Sequence, residues 1–239
     1  MYIVYRMLLL CVLWVVGFYP SVGLTQDAMQ PYHADRVMIN LKDKSEHPLS
    51  TIYVDGFRMR EELHTPDGAI ESCGKTMVQI VDYQRKSVWV VCPDKHKYEE
   101  HIGIPIEPPP VPGDVRLCDK SKGVTCNKLG TENIGTRVAD KWELIRTSRD
   151  GATVHNFVWV DQKLSTLIRQ EVPGSMLHPN IRQEFPEGMA MELRNIQEGA
   201  QPSSLFEVPA DFQKMEPPAA SARPPQGQPP QGQTQGQPH

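Results

Sequence analysis

Ser87-Val88-Trp89-Val90-Val91-Cys92 and Thr153-Val154-His155-Asn156-Phe157-Val158-Trp159-Val160 are the two stretches on which the fold turns. Both are short, β-branched and aromatic, the composition of strands. In each, alternate positions are apolar on both sides: Val88 and Val90 against Trp89 and Val91, and Val154, Val158 and Val160 against Phe157 and Trp159. A strand in a sheet that faces water on one side alternates apolar with polar, so these strands need cover on both faces. The candidates are a second sheet, helices packed across, or a bound apolar ligand. Working outward, further segments of the same kind are 37–41, 50–61, 76–82, 97–101, 125–134, 137–146, 164–171 and 189–196. Polar turns such as Tyr83-Gln84-Arg85-Lys86 and Asp161-Gln162-Lys163 separate neighbours at hairpin spacing. Room for short helices remains only at 26–35 and 177–185. Nothing resembles the crossover helices of parallel βαβ units, so the class expected is mainly antiparallel β with a few short helices.

The chain of 239 residues is 39% apolar and 23% charged, with a net charge of −4, enough for one substantial core. That mildly acidic balance, without a block of like charge, argues against nucleic acid as a partner. Residues 1–25 read as a signal peptide: one cation at Arg6, an apolar run from Met7 to Phe18 too short to span a bilayer, and small residues around Ser21-Val22-Gly23. The mature chain is then exported to the periplasm or secreted, and is not an integral membrane protein. Loss of the leader removes Cys11 and leaves Cys73, Cys92, Cys118 and Cys126. An even number in an exported chain reads as disulfides. Cys118 and Cys126 bracket a polar turn-forming stretch, so a local bridge there needs little chain ordering and leaves Cys73 with Cys92. Residues 26–215 form one β-rich domain, interrupted by a proline cluster at Pro105, Pro108, Pro109, Pro110 and Pro112 that suits a connector rather than a sheet interior. Residues 216–239 are rich in Pro, Gln and Gly, repeat Pro-Pro-Gln-Gly-Gln, and read as a disordered tail.

No catalytic motif is found, neither G-x-S-x-G, H-E-x-x-H nor a phosphate loop, and no CxxC or HxxxH spacing points to a metal. No cofactor is expected, and no enzymatic activity. Adjacent carboxylates at Glu61 and Glu62, or Glu99 and Glu100, face opposite ways on a strand and cannot converge as an acid and base pair. Arg58 and Arg60 share a face, and could present two cations to an anionic headgroup at a cavity rim or pair with carboxylates across strands.

A set of motifs in fixed order adds to this reading. Val54-Asp55-Gly56-Phe57-Arg58-Met59-Arg60, Val88 to Pro93 with Lys97-Tyr98-Glu99, Gly130-Thr131-Glu132 leading to Lys141-Trp142-Glu143, Val158-Trp159-Val160-Asp161, and Leu205 to Met215 together resemble a group of exported bacterial proteins. That group is similar to the outer-membrane lipoprotein carrier superfamily, the LolA/LolB-like proteins. The resemblance covers roughly Val37 to Met215. It implies an incomplete antiparallel barrel whose concave face is lidded by short helices and encloses an apolar cavity for acyl chains or lipoprotein lipids. The four cysteines, the proline-rich connector and the long tail depart from the carriers themselves.

Two functions follow. The first is a non-catalytic periplasmic binding protein for a lipid, lipoprotein acyl chains or another amphipathic ligand, with Trp89, Val91, Phe157 and Trp159 as the expected apolar lining. The second is a cell-envelope scaffold or sensor with a filled core, recruiting a protein partner through its tail or a sheet edge.

Overall fold

A computed structural model describes residues 28–64, 73–114, 116–147 and 151–215. The leader and the tail expected from the sequence lie outside the described residues. Twelve strands form one sheet: β1 (Met29–Asn40), β2 (Glu46–Gly56), β3 (Arg58–His64), β4 (Thr76–Asp82), β5 (Ser87–Cys92), β6 (Lys97–Ile102), β7 (Val124–Ile134), β8 (Arg137–Thr147), β9 (Thr153–Asp161), β10 (Leu167–Pro173), β11 (Gly188–Glu198) and β12 (Gln213–Lys214). One short helix, α1 (Pro179–Glu184), precedes β11. Their order across the sheet is β12-β6-β5-β4-β3-β2-β1-β11-β10-β9-β8-β7. All pairings are antiparallel except β12 with β6.

This order describes two meanders that meet in the middle. β1 to β6 step outward in one direction, and β7 to β11 step back in from the opposite edge until β11 pairs with β1. The sheet stays open, with β7 and the β12–β6 pair at its edges. It is also curled: one core cluster joins Tyr32 and Ala34 of β1 and Ile52 and Val54 of β2 to Ala139 of β8 and Trp159 of β9. The expected mainly antiparallel, incompletely closed fold with few helices is what the chain adopts.

Two segments have to travel back across the sheet. Residues 103–123 carry the chain from β6 to β7, ten strand positions away, roughly 48 Å along the sheet at about 4.8 Å per strand. Residues 199–212 return it from β11 to β12. The return segment closes a second core cluster, in which Phe206 packs with Val78, Ile80 and Val91, and Leu205, Val208 and Phe212 pack around them. Its end is fixed by Gln213 N–H to the His96 carbonyl (2.9 Å) and Met215 N–H to the Tyr98 carbonyl (2.7 Å). On the Trp89 and Val91 face of β5, the cover is this return segment rather than a second sheet.

Two expectations need correction. The described part of 26–35 is not a helix. Of these, residues 29–35 are the start of β1, the seventh strand across the sheet, held on one side by β2 and on the other by β11, with Pro31 accommodated where the β1–β2 register slips between Met29 and Tyr32. Residues 50–61 are not one strand but two, because Gly56 takes a left-handed φ of +64° that turns the chain at Phe57. Position 188 carries a similar constraint: Gly188 has φ +112°, and a Cβ there would sit 2.3 Å from the Val172 carbonyl oxygen.

Two disulfides are present, Cys73–Cys92 and Cys118–Cys126. The first is fully buried beside β4 and β5. The second fastens the end of the proline-rich connector to β7.

At the β9–β10 turn a buried charge organises the backbone. Asp161 is 1% exposed and accepts from Arg137 Nε and Nη2 at 2.7 and 2.8 Å and from the Lys163 and Leu164 N–H groups. Burial alone would raise its carboxyl pKa, but Arg137 and the backbone donors outweigh that and hold it below the usual range. A carboxyl depressed in the folded state adds stability above its unfolded value, about 3.9, which is lost as pH falls through the folded value. Asp161→Asn is therefore expected to cost about 3 kcal/mol at pH 7, with the gap to wild type narrowing as pH is lowered below the unfolded carboxyl value in urea unfolding. A gap that stays constant there would contradict the assignment.

Candidate functional site

The curl of the sheet leaves a cavity of about 840 Å³ against β3, β2, β1, β11 and β10. Register fixes which side chains reach it. Tyr32 opposes Val54, Ala34 opposes Ile52 and Arg36 opposes Ser50 across β1 and β2, and Val54 opposes Met59 of β3. Directly opposed residues share a face, so Tyr32, Ile52, Val54 and Met59 line one wall and Arg36 stands at its end. Leu164, Ile168, Met191 and Leu193 complete the apolar lining.

The fifth side of the cavity is the proline-rich connector. Pro108, Pro109, Val111, Asp114 and Arg116 all line it, and Pro108 is buried. The lid implied by the family resemblance was a set of short helices; here the proline segment occupies that place. Its shape is held from within. Arg116 donates to Asp114 Oδ2 from Nε (2.8 Å), to Glu107 Oε2 (2.6 Å) and to the Pro108 carbonyl (3.5 Å), while the Cys118–Cys126 bridge secures its far end. Proline locks φ and offers no N–H, so such a strap covers an apolar hollow with few donors left unpaired.

The cavity's other ionic groups are committed. Arg169 pairs with Glu171 (2.7 Å) and with Glu192, and Lys163 pairs with Glu198 (2.5 Å). Tyr32 is held neutral by burial, which raises its pKa despite a hydrogen bond with Thr166 and the nearby Arg36 charge. Tyr83, beside Met59, is pushed up to about 12, mainly by burial. The wall around Tyr32 and Met59 is thus uncharged over the working pH range.

The residues expected at the site are distributed otherwise. Trp89 and Val91 oppose Ile80 and Val78, on the face of β5 opposite the one that continues Met59, Val81 and Val88. Val91 belongs to the cluster closed by Phe206, and Trp89 packs against it and donates to Glu100 (3.1 Å). Trp159 is buried in the first cluster, among Tyr32, Ile52, Val54, Leu164, Ile168 and Leu193, with Phe157 packed alongside. These two aromatics back the cavity's apolar wall without being among its lining residues. Trp159 donates to Glu132 (2.8 Å) and lies between Lys141 (5.0 Å) and Arg169 (5.3 Å). Arg58 and Arg60 face the return segment instead of a cavity rim: Arg58 pairs with Asp55 (2.9 Å) and stacks 4.6 Å over Phe206, and Arg60 pairs with Glu62 (2.7 Å) and donates to the Leu205 carbonyl. The adjacent carboxylates diverge, Glu61 toward Arg36 and Ser50 and Glu62 toward Arg60. Among the described residues no group of three or more His, Cys, Asp and Glu side chains could hold a metal ion, and no helix is long and apolar enough to cross a membrane.

An open, mainly antiparallel sheet curled over an amphipathic cavity is the class of protein that fold and site define. No family model and no curated protein matches the chain. Among solved structures it is similar to MucB, at 13% identity and TM-score 0.45, covering 78% of this chain and 60% of that chain. It is similar to the MucA/MucB complex of Pseudomonas aeruginosa at 14% identity and TM-score 0.43, covering 77% of this chain and 57% of that chain. It is also similar to a LolA-superfamily protein of Nitrosomonas europaea at 14% identity and TM-score 0.29, covering 77% of this chain and 91% of that chain. The chain thus spans less than two thirds of the length of the MucB structures it matches.

Proposed function

We propose that the chain is a non-catalytic binding protein of the bacterial cell envelope, which holds the hydrocarbon part of a lipid, a lipoprotein acyl group or a similar amphipathic molecule beneath the proline strap. The observation that carries this reading is the cavity itself, about 840 Å³ with an apolar wall built by five neighbouring strands and charged groups at its margins. That volume lies in the range of small-ligand sites, roughly 300–1,000 Å³. Each methylene moved from water onto such a wall contributes about 0.8 kcal/mol, so eight of them supply about 6 kcal/mol before the cost of immobilising the chain. No reacting group is needed. The two disulfides suit an oxidising compartment and so support the exported, periplasmic assignment. A scaffold with a filled interior accounts less well for a hollow of this size. A protein partner remains compatible, since β7 leaves one side unpaired and is largely exposed, with Leu129 at 51%.

The test is titration with a neutral apolar probe, the methyl ester of cis-parinaric acid. Saturable fluorescence with one probe per chain is the expected result; no binding of this ester or of its free acid at micromolar protein would overturn the proposal.

A further inference from the structure

Arg36 is the one cavity-lining guanidinium whose hydrogen bonding is mostly unspent among the described residues. It projects from the central strand on the same face as Tyr32, Ile52 and Val54, and its side chain is 30% exposed. Of the five donors a guanidinium carries, one is used: Nη1 donates to Glu61 Oε1 at 2.6 Å. Arg116 by contrast meets two carboxylates and a carbonyl, and Arg169 meets two carboxylates. Glu61 is itself pinned, 8% exposed and accepting from the Ser50 hydroxyl at 2.7 Å, so it orients Arg36 from behind rather than wrapping it. A cation fixed by its neighbours, open on the cavity side and opposed by Leu193 and Ser50 on the adjoining strands, is a prepared site for a compact anion. It stands at one end of a lining that runs along β1 from Met29, about 24 Å of strand, with the apolar wall between.

Resting on the cavity reading, we infer that the ligand is an anionic amphiphile whose carboxylate or phosphate is bound by Arg36 while its hydrocarbon lies along Tyr32, Ile52, Val54 and Leu193. Arg36 thereby selects against neutral and zwitterionic molecules of the same chain length. A charge-assisted hydrogen bond lost without replacement lowers affinity by about ten- to a hundredfold.

The experiment compares cis-parinaric acid with its methyl ester on the full exported chain, and dodecyl phosphate with dodecanol as competitors. The acid is expected to bind at least about tenfold more tightly than the ester. Arg36→Gln should erase that difference by weakening the acid alone, and Arg36→Lys should restore part of it. Because Arg36→Gln strands Glu61, the neutral pair Arg36→Gln/Glu61→Gln is measured alongside and should show the same loss of discrimination. Stronger competition by dodecyl phosphate than by dodecanol would extend the site to phosphate; equal competition, with the acid still preferred over its ester, would confine it to carboxylates. Equal binding of acid and ester, unchanged in all variants, would overturn the inference and leave the cavity reading standing. Failure of both probes to bind would overturn the cavity reading itself.

Discussion

Phe206→Ala is expected to destabilise the protein by about 4 kcal/mol and lower its melting temperature by about 10 °C. Phe206 is 6% exposed and lies in the return segment, not in the sheet. Its ring sits against Val78, Ile80 and Val91, with the Arg58 guanidinium 4.6 Å from its centroid on another side. Truncation leaves a void that the sheet beneath cannot close, and it removes the stacking partner of Arg58. Ile181 of α1, 44% exposed, provides the comparison: Ile181→Ala should change stability by less than about 0.5 kcal/mol. If the two substitutions cost the same, the return segment does not close the second core as described.

The second large effect concerns the cavity. Met59 and Met191 line it, each is only partly buried, and each points to the side of the sheet on which the strap lies. Replacing both with tryptophan puts two indoles into space that hydrocarbon would occupy. Displacing three methylenes removes about 2.4 kcal/mol of burial, so affinity for the parinaric ester should fall more than tenfold. Melting temperature should move little, because the added rings enter a void rather than a packed core. Unchanged affinity in a folded double variant would place the probe elsewhere.

Most of the strands could be read from the amino acids because their signals are local. Thr76–Asp82 and Ser87–Cys92 fall where their β-branched runs and the Tyr83-Gln84-Arg85-Lys86 turn put them. The first half of β1 escaped because Met29-Gln30-Pro31 carries a strand-breaking proline and no alternation, and its pairing on both sides is decided by residues far away in sequence. The β2–β3 turn hinges on a single glycine inside an otherwise continuous strand-like run. Trp89 and Val91 fall on the face away from the cavity for a related reason. A strand that is apolar on both faces gives no sign of which parity points inward, and the choice between Val88 and Trp89 is set only by register through β4 and β3 to Val54. The same parity places Arg36 in line with Tyr32 and Ala34, a charged residue at an inward position of a strand whose first half reads only as room for a short helix. The strap's proline content announced a connector, but the face it would cross belongs to tertiary structure.

Native mass spectrometry of the chain recovered from the envelope by mild extraction asks the central question most directly. The cavity account predicts a population heavier than the bare mature chain by one amphiphile, released on collisional activation and identified as an anionic lipid. A chain that emerges empty from cells, and stays empty after incubation with fatty acids and lysophospholipids, would contradict it.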